Sequence, residues 1–238
     1  MQAKIRDGRL DAIKWIAMIT MVIDHIRFIY NDITWFYAIG RISFPFFCLA
    51  ITINVYRNVH SQQVYLLYGK YILWMMTFSL ISEIPYRLYF YQSNSLSIMP
   101  TLTLGLLIAI TMQHYKDNTC RIILVLSLGV SLIFKNSLMY GVFGVLLPTA
   151  FLLALIKPMF LWPLPMIVGI LSNYSVERIF SQISDVETYN ISAFIIAFIT
   201  PLVGLLFTHA NAQIHVPPVG KWGYFFVTVH QPPVDSQI

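Results

Sequence analysis

The chain has 238 residues, of which 58% are hydrophobic and only 11% are charged, and its mean hydropathy is +0.70. Soluble domains carry about 25% charged residues, so this composition excludes an ordinary soluble domain. The net charge of +5 does not call for a nucleic-acid partner, because basic loops on one side of a membrane account for it.

Apolar runs recur along the whole chain, and a membrane-spanning helix needs roughly 20 such residues. The pattern predicts an all-α polytopic membrane protein in which residues 1–238 form a single transmembrane domain, a bundle of about eight to nine transmembrane helices. A ninth apolar run begins at Trp222. The first eight predicted spans are Leu10–Tyr30, Trp35–Tyr56, Val64–Ile84, Leu96–His114, Arg121–Phe134, Leu138–Ile156, Met159–Leu171 and Ile191–Phe207.

The distribution of basic residues between alternate loops predicts a cytoplasmic N-terminus, because Lys and Arg accumulate on the cytoplasmic side. With that orientation, ten basic residues face inward and five face outward. The inward set is Lys4, Arg6, Arg9, Lys14, Arg57, Lys70, Lys116, Arg121, Lys157 and Lys221, and the outward set is Arg27, Arg41, Arg87, Lys135 and Arg178.

The first span contains charged and titratable side chains, which are costly at membrane depth and tend to face a bundle interior or a water-filled cavity. Lys14 precedes His25 by eleven positions, close to three helical turns, so both lie on one face about 16 Å apart. Asp24 is adjacent to His25. Alternatively, Lys14 extends to the headgroups, and Asp24 and His25 form a cluster at the outer surface. Arg27 is interpreted as an interfacial anchor.

The second span begins with the motif IGRISFPFF, which contains Arg41 and Pro45. The connection between the first two spans is short, so we expect Arg41 to lie close to Asp24 and His25. In the alternative interpretation, Arg41 only neutralises Asp24. Pro45 is expected to kink the helix or loosen its first turns, because proline lacks an N–H.

Two further polar breaks occur later in the chain. Glu83 and Arg87 are spaced i, i+4, which allows an ion pair if the helix continues through Pro85; otherwise they mark a solvated helix end. The segment Tyr140–Gly144 predicts a turn whose glycines permit close packing. No His or Cys spacing typical of a metal site is present, so no metal is predicted.

A histidine beside a carboxylate, with cations nearby, suits general-base catalysis of acyl transfer to a hydroxyl or an amine. The same residues suit a proton relay in a transporter. The residues themselves leave both possibilities open.

Two motifs resemble the TraX family of conjugative-plasmid and bacterial membrane proteins. RLDAIKWIAMITMVIDHIRFI carries its Lys and Met-x-x-Asp-His pattern, and AIGRISFPFFCLAITINVYRN carries Gly-Arg-x-x-Phe-Pro. Weaker similarity continues through SEIPY, PTLTLGLL and YGVFGVLLP, over about the first 155 residues. After His230 the chain continues with QPPVDSQI, where family members tend to have a further hydrophobic helix. The matching positions are Lys14, Met21, Asp24, His25, Gly40, Arg41, Phe44 and Pro45.

The resemblance implies a membrane-bound acetyltransferase of the bacterial inner membrane that acetylates a conjugative pilin subunit, with acetyl-CoA as the acyl donor. A more distant likeness to membrane acyltransferases implies that His25 is the catalytic base and Asp24 its partner. It makes Lys14 and Arg41 candidate contacts for the donor phosphates or the thioester oxygen. The alternatives are a non-catalytic pilus-assembly protein of the membrane and a proton-coupled transporter.

Overall fold

Helices account for most of the chain in the computed structural model, which describes residues 8–29, 35–58, 64–90, 94–157, 160–173 and 188–209. Within these ranges there is no strand, so the all-α prediction is confirmed for them. The predicted run from Trp222 and the position of His230 lie outside the described residues. The helices are α1 Gly8–Ile26, α2 Phe36–Gly40, α3 Ser43–Asn58, α4 Val64–Tyr89, α5 Ile98–Gln113, α6 Asn118–Ile133, α7 Gly141–Ile156, α8 Pro163–Asn173 and α9 Thr188–His209.

The second predicted span is divided into α2 and α3 by a bend at Arg41 and Ile42. Pro45 explains this division, because it has no N–H to donate to the carbonyl four residues earlier, which belongs to Arg41. The helical ladder of α3 instead begins with the Phe46 N–H, which donates to the Ile42 oxygen at 3.3 Å. The predicted loosening by proline is therefore confirmed.

A turn connects α6 to α7, as the glycine-containing segment predicts. Gly141 has a φ of 56°, a left-handed conformation that costs little for glycine and more for other residues. The Gly141 N–H donates to the Leu138 oxygen at 3.0 Å. This conformation places Tyr140, the residue before it, against the α3 side chain of Phe44.

Apart from α2 and α3, which follow each other along one predicted span, the described helices alternate in direction, so their ends gather at two opposite ends of the bundle. At one end, the Tyr68 hydroxyl donates to the Val55 oxygen at 3.0 Å, and the Arg9 guanidinium donates to the Thr208 oxygen at 3.1 Å. These contacts join the start of α1 and α4 to the ends of α3 and α9. We call this the basic end, and we call the opposite one, where α1 ends and α7 begins, the site end.

The core is centred on α3, whose side chains contact α1, α5 and α7. Leu49 of α3, Leu106 of α5 and Phe151 of α7 are all fully buried. The Thr52 hydroxyl also donates to the Pro148 oxygen of α7 at 2.8 Å. This packing fixes the relative positions of the helices that carry the candidate site.

Large apolar side chains also cover the outside of the bundle; Leu80 is 76% exposed and Ile133 is 77% exposed. Two described stretches, Phe36–Asn58 and Ile191–His209, are long and apolar enough to cross a bilayer. Helices α5, α6 and α7 are apolar but have 16 residues each, about 24 Å, which is shorter than the bilayer core of about 30 Å. The predicted number of spans therefore stays a prediction.

Candidate functional site

A cavity of about 590 Å³ lies at the site end of the bundle. Asp24 and His25 border it from α1, and Arg41 borders it from the bend between α2 and α3. The ends of α4 and α8 and the starts of α5 and α7 complete its wall. The structure thus brings together three of the four residues that the sequence singles out.

His25 lies in the last turn of α1, with its side chain exposed at the cavity. Its Nδ1 is 2.7 Å from the Met21 oxygen. A carbonyl oxygen only accepts hydrogen bonds, so this contact assigns the proton of the neutral imidazole to Nδ1 and leaves the lone pair on Nε2. Nε2 is therefore the nitrogen able to act as a base.

Asp24 pairs with Arg27 in the structure rather than with His25. The Arg27 Nε is 3.1 Å from the Asp24 Oδ1, but the N–H is not directed at the oxygen, and the contact is an ion pair without a hydrogen bond. Arg27, interpreted from sequence as an anchor, lines the cavity. Its i, i+3 spacing from Asp24 is the sequence signal that indicates the pair.

Gly40 allows α2 to lie directly against Asp24. A Cβ built at position 40 would overlap the carboxyl carbon and Oδ1 of Asp24 and lie 2.6 Å from its Cβ. Contacts below 3.0 Å are not found for real Cβ atoms. Arg41, the next residue, therefore reaches the same cavity only because Gly40 has no side chain.

Arg41 is held by two side chains that the sequence did not reveal. Its Nη1 donates to the Asn173 Oδ1 at 2.9 Å, and its guanidinium lies 4.1 Å from the centre of the Tyr37 ring. The Asn173 Nδ2 donates to the Gly169 oxygen at 2.8 Å, which fixes the amide so that its oxygen faces Arg41.

Tyr37 also contacts the second guanidinium of the cavity, because the Arg27 Cζ is 4.9 Å from its ring centre. Two cations therefore share one aromatic ring, an arrangement that attracts each of them to the ring quadrupole. Tyr37 precedes Arg41 by one helical turn, and this spacing was the available sequence signal. The pair of guanidinium groups gives this wall of the cavity its positive charge.

Tyr140 closes the inner side of the cavity from the turn between α6 and α7. Its ring stacks on Phe44, with centroids 3.8 Å apart and planes 6° from parallel. A tyrosine phenol carries an O–H that can donate a hydrogen bond, and the Tyr140 side chain lines the cavity.

Glu83 connects α4 to the start of α5. Helix α4 continues through Pro85, and the Arg87 Nε donates to the Glu83 Oε1 at 2.7 Å, so the ion pair that the spacing allows is formed rather than a simple solvated helix end. The Glu83 Oε2 accepts the Ser97 N–H at 2.9 Å. This carboxylate therefore satisfies a backbone donor at the helix N-terminus, a structural role that the sequence did not indicate.

Lys14 does not line the cavity that contains His25. Its Nζ is 3.7 Å from the Asp11 Oδ1, toward the opposite end of α1. Ala17 is fully buried and Thr20 is 7% exposed in the stretch of α1 between Lys14 and His25. No group of three or more His, Cys, Asp or Glu side chains able to hold a metal ion occurs among the described residues.

Comparison with known proteins identifies the family. The family model described as "TraX protein" matches residues 9–231. The chain belongs to the TraX family. Protein TraX of Escherichia coli strain K12 is 38% identical over 58 residues, which are 24% of this chain and 23% of that protein. A second Protein TraX of Escherichia coli is 39% identical over 57 residues, again 24% and 23% of the two chains.

The aligned segment spans about a quarter of the length of these curated TraX relatives. No solved structure matches the chain. The chemistry available to the cavity is therefore inferred from the geometry of the residues that line it. This TraX-family chain has a basic imidazole nitrogen, two guanidinium groups and a phenol around one cavity, a set suited to removing a proton and stabilising an anion.

Proposed function

We propose that this chain is an integral acetyltransferase of the bacterial inner membrane. It transfers the acetyl group of acetyl-CoA to the amino terminus of a conjugative pilin subunit during pilus maturation. The observation that carries the proposal is the imidazole of His25, which borders a positively charged cavity with Nδ1 occupied by the Met21 oxygen. The pilin substrate and the acetyl-CoA donor are proposed because the chain belongs to the TraX family and because the motifs of its first two predicted spans resemble those of that family.

In this mechanism, the Nε2 of His25 accepts a proton from the amine as its nitrogen attacks the thioester carbonyl. A C–N bond forms, the C–S bond breaks, and the departing thiolate takes the proton from the imidazolium. The Arg41 guanidinium, fixed by Asn173, stabilises the negative charge that develops on the carbonyl oxygen. Among the described residues, no serine hydroxyl is hydrogen-bonded to the His25 ring, whose contact is with the Met21 oxygen, and this favours direct transfer over an acyl-serine.

The charges of the described residues support a membrane orientation with the basic end in the cytoplasm. Seven of the described basic residues lie toward the basic end and four lie toward the site end. The first group is Arg9, Lys14, Arg57, Lys70, Lys116, Arg121 and Lys157, and the second is Arg27, Arg41, Arg87 and Lys135.

This orientation puts His25 on the outer side of the membrane, where the new amino terminus of a processed, membrane-embedded pilin is exposed. Acetyl-CoA is cytoplasmic, so the donor must reach across the bundle to His25. The proposal therefore requires a passage past Ala17 and Thr20, both buried, to open during the reaction.

Acetyl transfer by the purified full chain tests the proposal. Wild type, His25→Ala and His114→Ala are supplied with pilin and acetyl-CoA labelled in the acetyl group. Removing a general base costs about 10²–10⁴-fold in rate, so we expect this loss for His25→Ala. His114 lies at the basic end and does not line the cavity, so its variant retains wild-type transfer. Equal transfer by wild type and His25→Ala rules out the assignment.

A proton-coupled transporter using Asp24, His25 and Glu83 receives less support. Glu83 accepts hydrogen bonds from Arg87 and from the Ser97 backbone, so protonation would break contacts that hold α4 to α5. A non-catalytic pilus-assembly protein is distinguished by the same assay, because pilin would then gain no label with any of the three chains.

A further inference from the structure

A second cavity, of about 180 Å³, lies at the basic end of the bundle. Three basic side chains from three different helices border it: Arg9 of α1, Arg57 of α3 and His209 of α9. Its apolar wall includes Ile13 and Ile53, which are 0% and 6% exposed. The cavity therefore carries positive charge at its opening, and buried apolar residues of the core form its base.

Neighbouring contacts position two of these side chains. Arg9 Nη1 donates to the Thr208 oxygen at 3.1 Å, which holds its guanidinium beside the end of α9. The ring of His209 lies 5.5 Å from the ring of Trp162. The planar fork of a guanidinium matches the oxygens of a phosphate in a bidentate contact, and this cavity brings two such forks together.

We propose that this cavity binds a phosphate group, supplied by the headgroup of an anionic phospholipid in the cytoplasmic leaflet. The proposal rests on the membrane orientation given under the proposed function, which puts the basic end at that leaflet. Basic pockets between helices on the cytoplasmic side are suited to anionic headgroups. The volume of this cavity, about 180 Å³, is below the roughly 300–1,000 Å³ of small-molecule sites, which favours a single phosphate headgroup over the whole nucleotide of the donor.

Binding is measured by native mass spectrometry of the full chain in detergent, titrated with phosphatidylglycerol or phosphatidylcholine. Wild type is expected to retain phosphatidylglycerol in preference to phosphatidylcholine. Arg9→Gln/Arg57→Gln is expected to bind phosphatidylglycerol more weakly, on the order of tenfold. The matched control is Lys116→Gln/Arg121→Gln, which removes two exposed charges from the same end without touching the cavity; it should bind as wild type does.

Four results overturn the proposal. One is a wild type that binds both lipids equally, which needs no variant and no assumption about folding. Another is equal loss of binding in the two double variants, which would indicate general surface charge. The third is displacement of phosphatidylglycerol from wild type by adenosine 3′,5′-bisphosphate, which would assign the phosphate site to a nucleotide. If Arg9 and Arg57 only stabilise helix ends, their variant loses thermal stability while its lipid preference is unchanged, which also contradicts the proposal.

Discussion

Substituting Gly40 by alanine separates the effect of helix propensity from the effect of packing at the site. Gly40 is the last residue of α2, so alanine there gains at most the roughly 1 kcal/mol by which it exceeds glycine in a helix interior, and propensity alone predicts a more stable protein. At Gly40, however, the new Cβ would overlap the Asp24 carboxyl group and lie 2.6 Å from the Asp24 Cβ. Either α2 moves away from α1 or the Asp24 side chain leaves Arg27.

Overpacking of this kind costs about 1–3 kcal/mol. The ion pair adds less, about 1 kcal/mol or below, because Arg27 and Asp24 side chains are 27% and 19% exposed. The packing cost exceeds the gain in propensity, so we expect Gly40→Ala to lower the free energy of unfolding by about 1–2 kcal/mol. Acetyl transfer should fall as well, because Arg41 moves with α2.

The measurement is unfolding in mixed detergent micelles, with Gly69→Ala as the matched control. Gly69 lies in α4, and a Cβ added there would meet no atom within 4 Å, so its substitution should be neutral or stabilising. In Asp24→Ala/Gly40→Ala, the carboxyl overlap is absent and only the Cβ contact remains, so part of the loss should be recovered. If Gly40→Ala and Gly69→Ala have the same stability and activity, the close approach of α2 to Asp24 is refuted.

Three further substitutions test other parts of the site. Asn173→Ala should reduce acetyl transfer about tenfold or more, because a hydrogen bond to a charged group contributes about 1.5–3 kcal/mol; Asn173→Asp keeps an acceptor for Arg41 and should retain more activity in the same assay. Glu83→Ala should lower the free energy of unfolding by about 0.5–2 kcal/mol in a denaturant titration, since the Ser97 N–H loses its acceptor; an unchanged midpoint would contradict the capping role. Gly141→Ala should cost about 1–2 kcal/mol on thermal unfolding because of its positive φ, and a stabilised variant would show that the turn does not need glycine.

Local spacing in the sequence was sufficient to predict several features of the structure. Apolar runs predicted the helices, and the lack of an N–H at Pro45 predicted the disturbance at the start of α3. The i, i+4 spacing of Glu83 and Arg87 allowed their ion pair, provided that the helix continued through Pro85. For Pro45 and for this pair, the groups involved are one helical turn apart, so the geometry of one helix determines the contact.

Contacts between distant segments were not predictable in this way. Asn173 lies 132 positions from Arg41, and only the packing of α8 against the rest of the bundle brings them together. The close approach of α2 to Asp24 at Gly40 likewise joins two different helices. Lys14 shares a helix with His25, yet one shared face does not give it access to the same cavity.

We propose that His25 acts as the base in acetylation of pilin. The most direct test is the intact mass of the cognate pilin purified from cells that express this chain as wild type, as His25→Ala, or not at all. We expect pilin to gain the mass of one acetyl group with the wild-type chain only. Acetylated pilin at the wild-type level in cells that express His25→Ala would contradict the proposal.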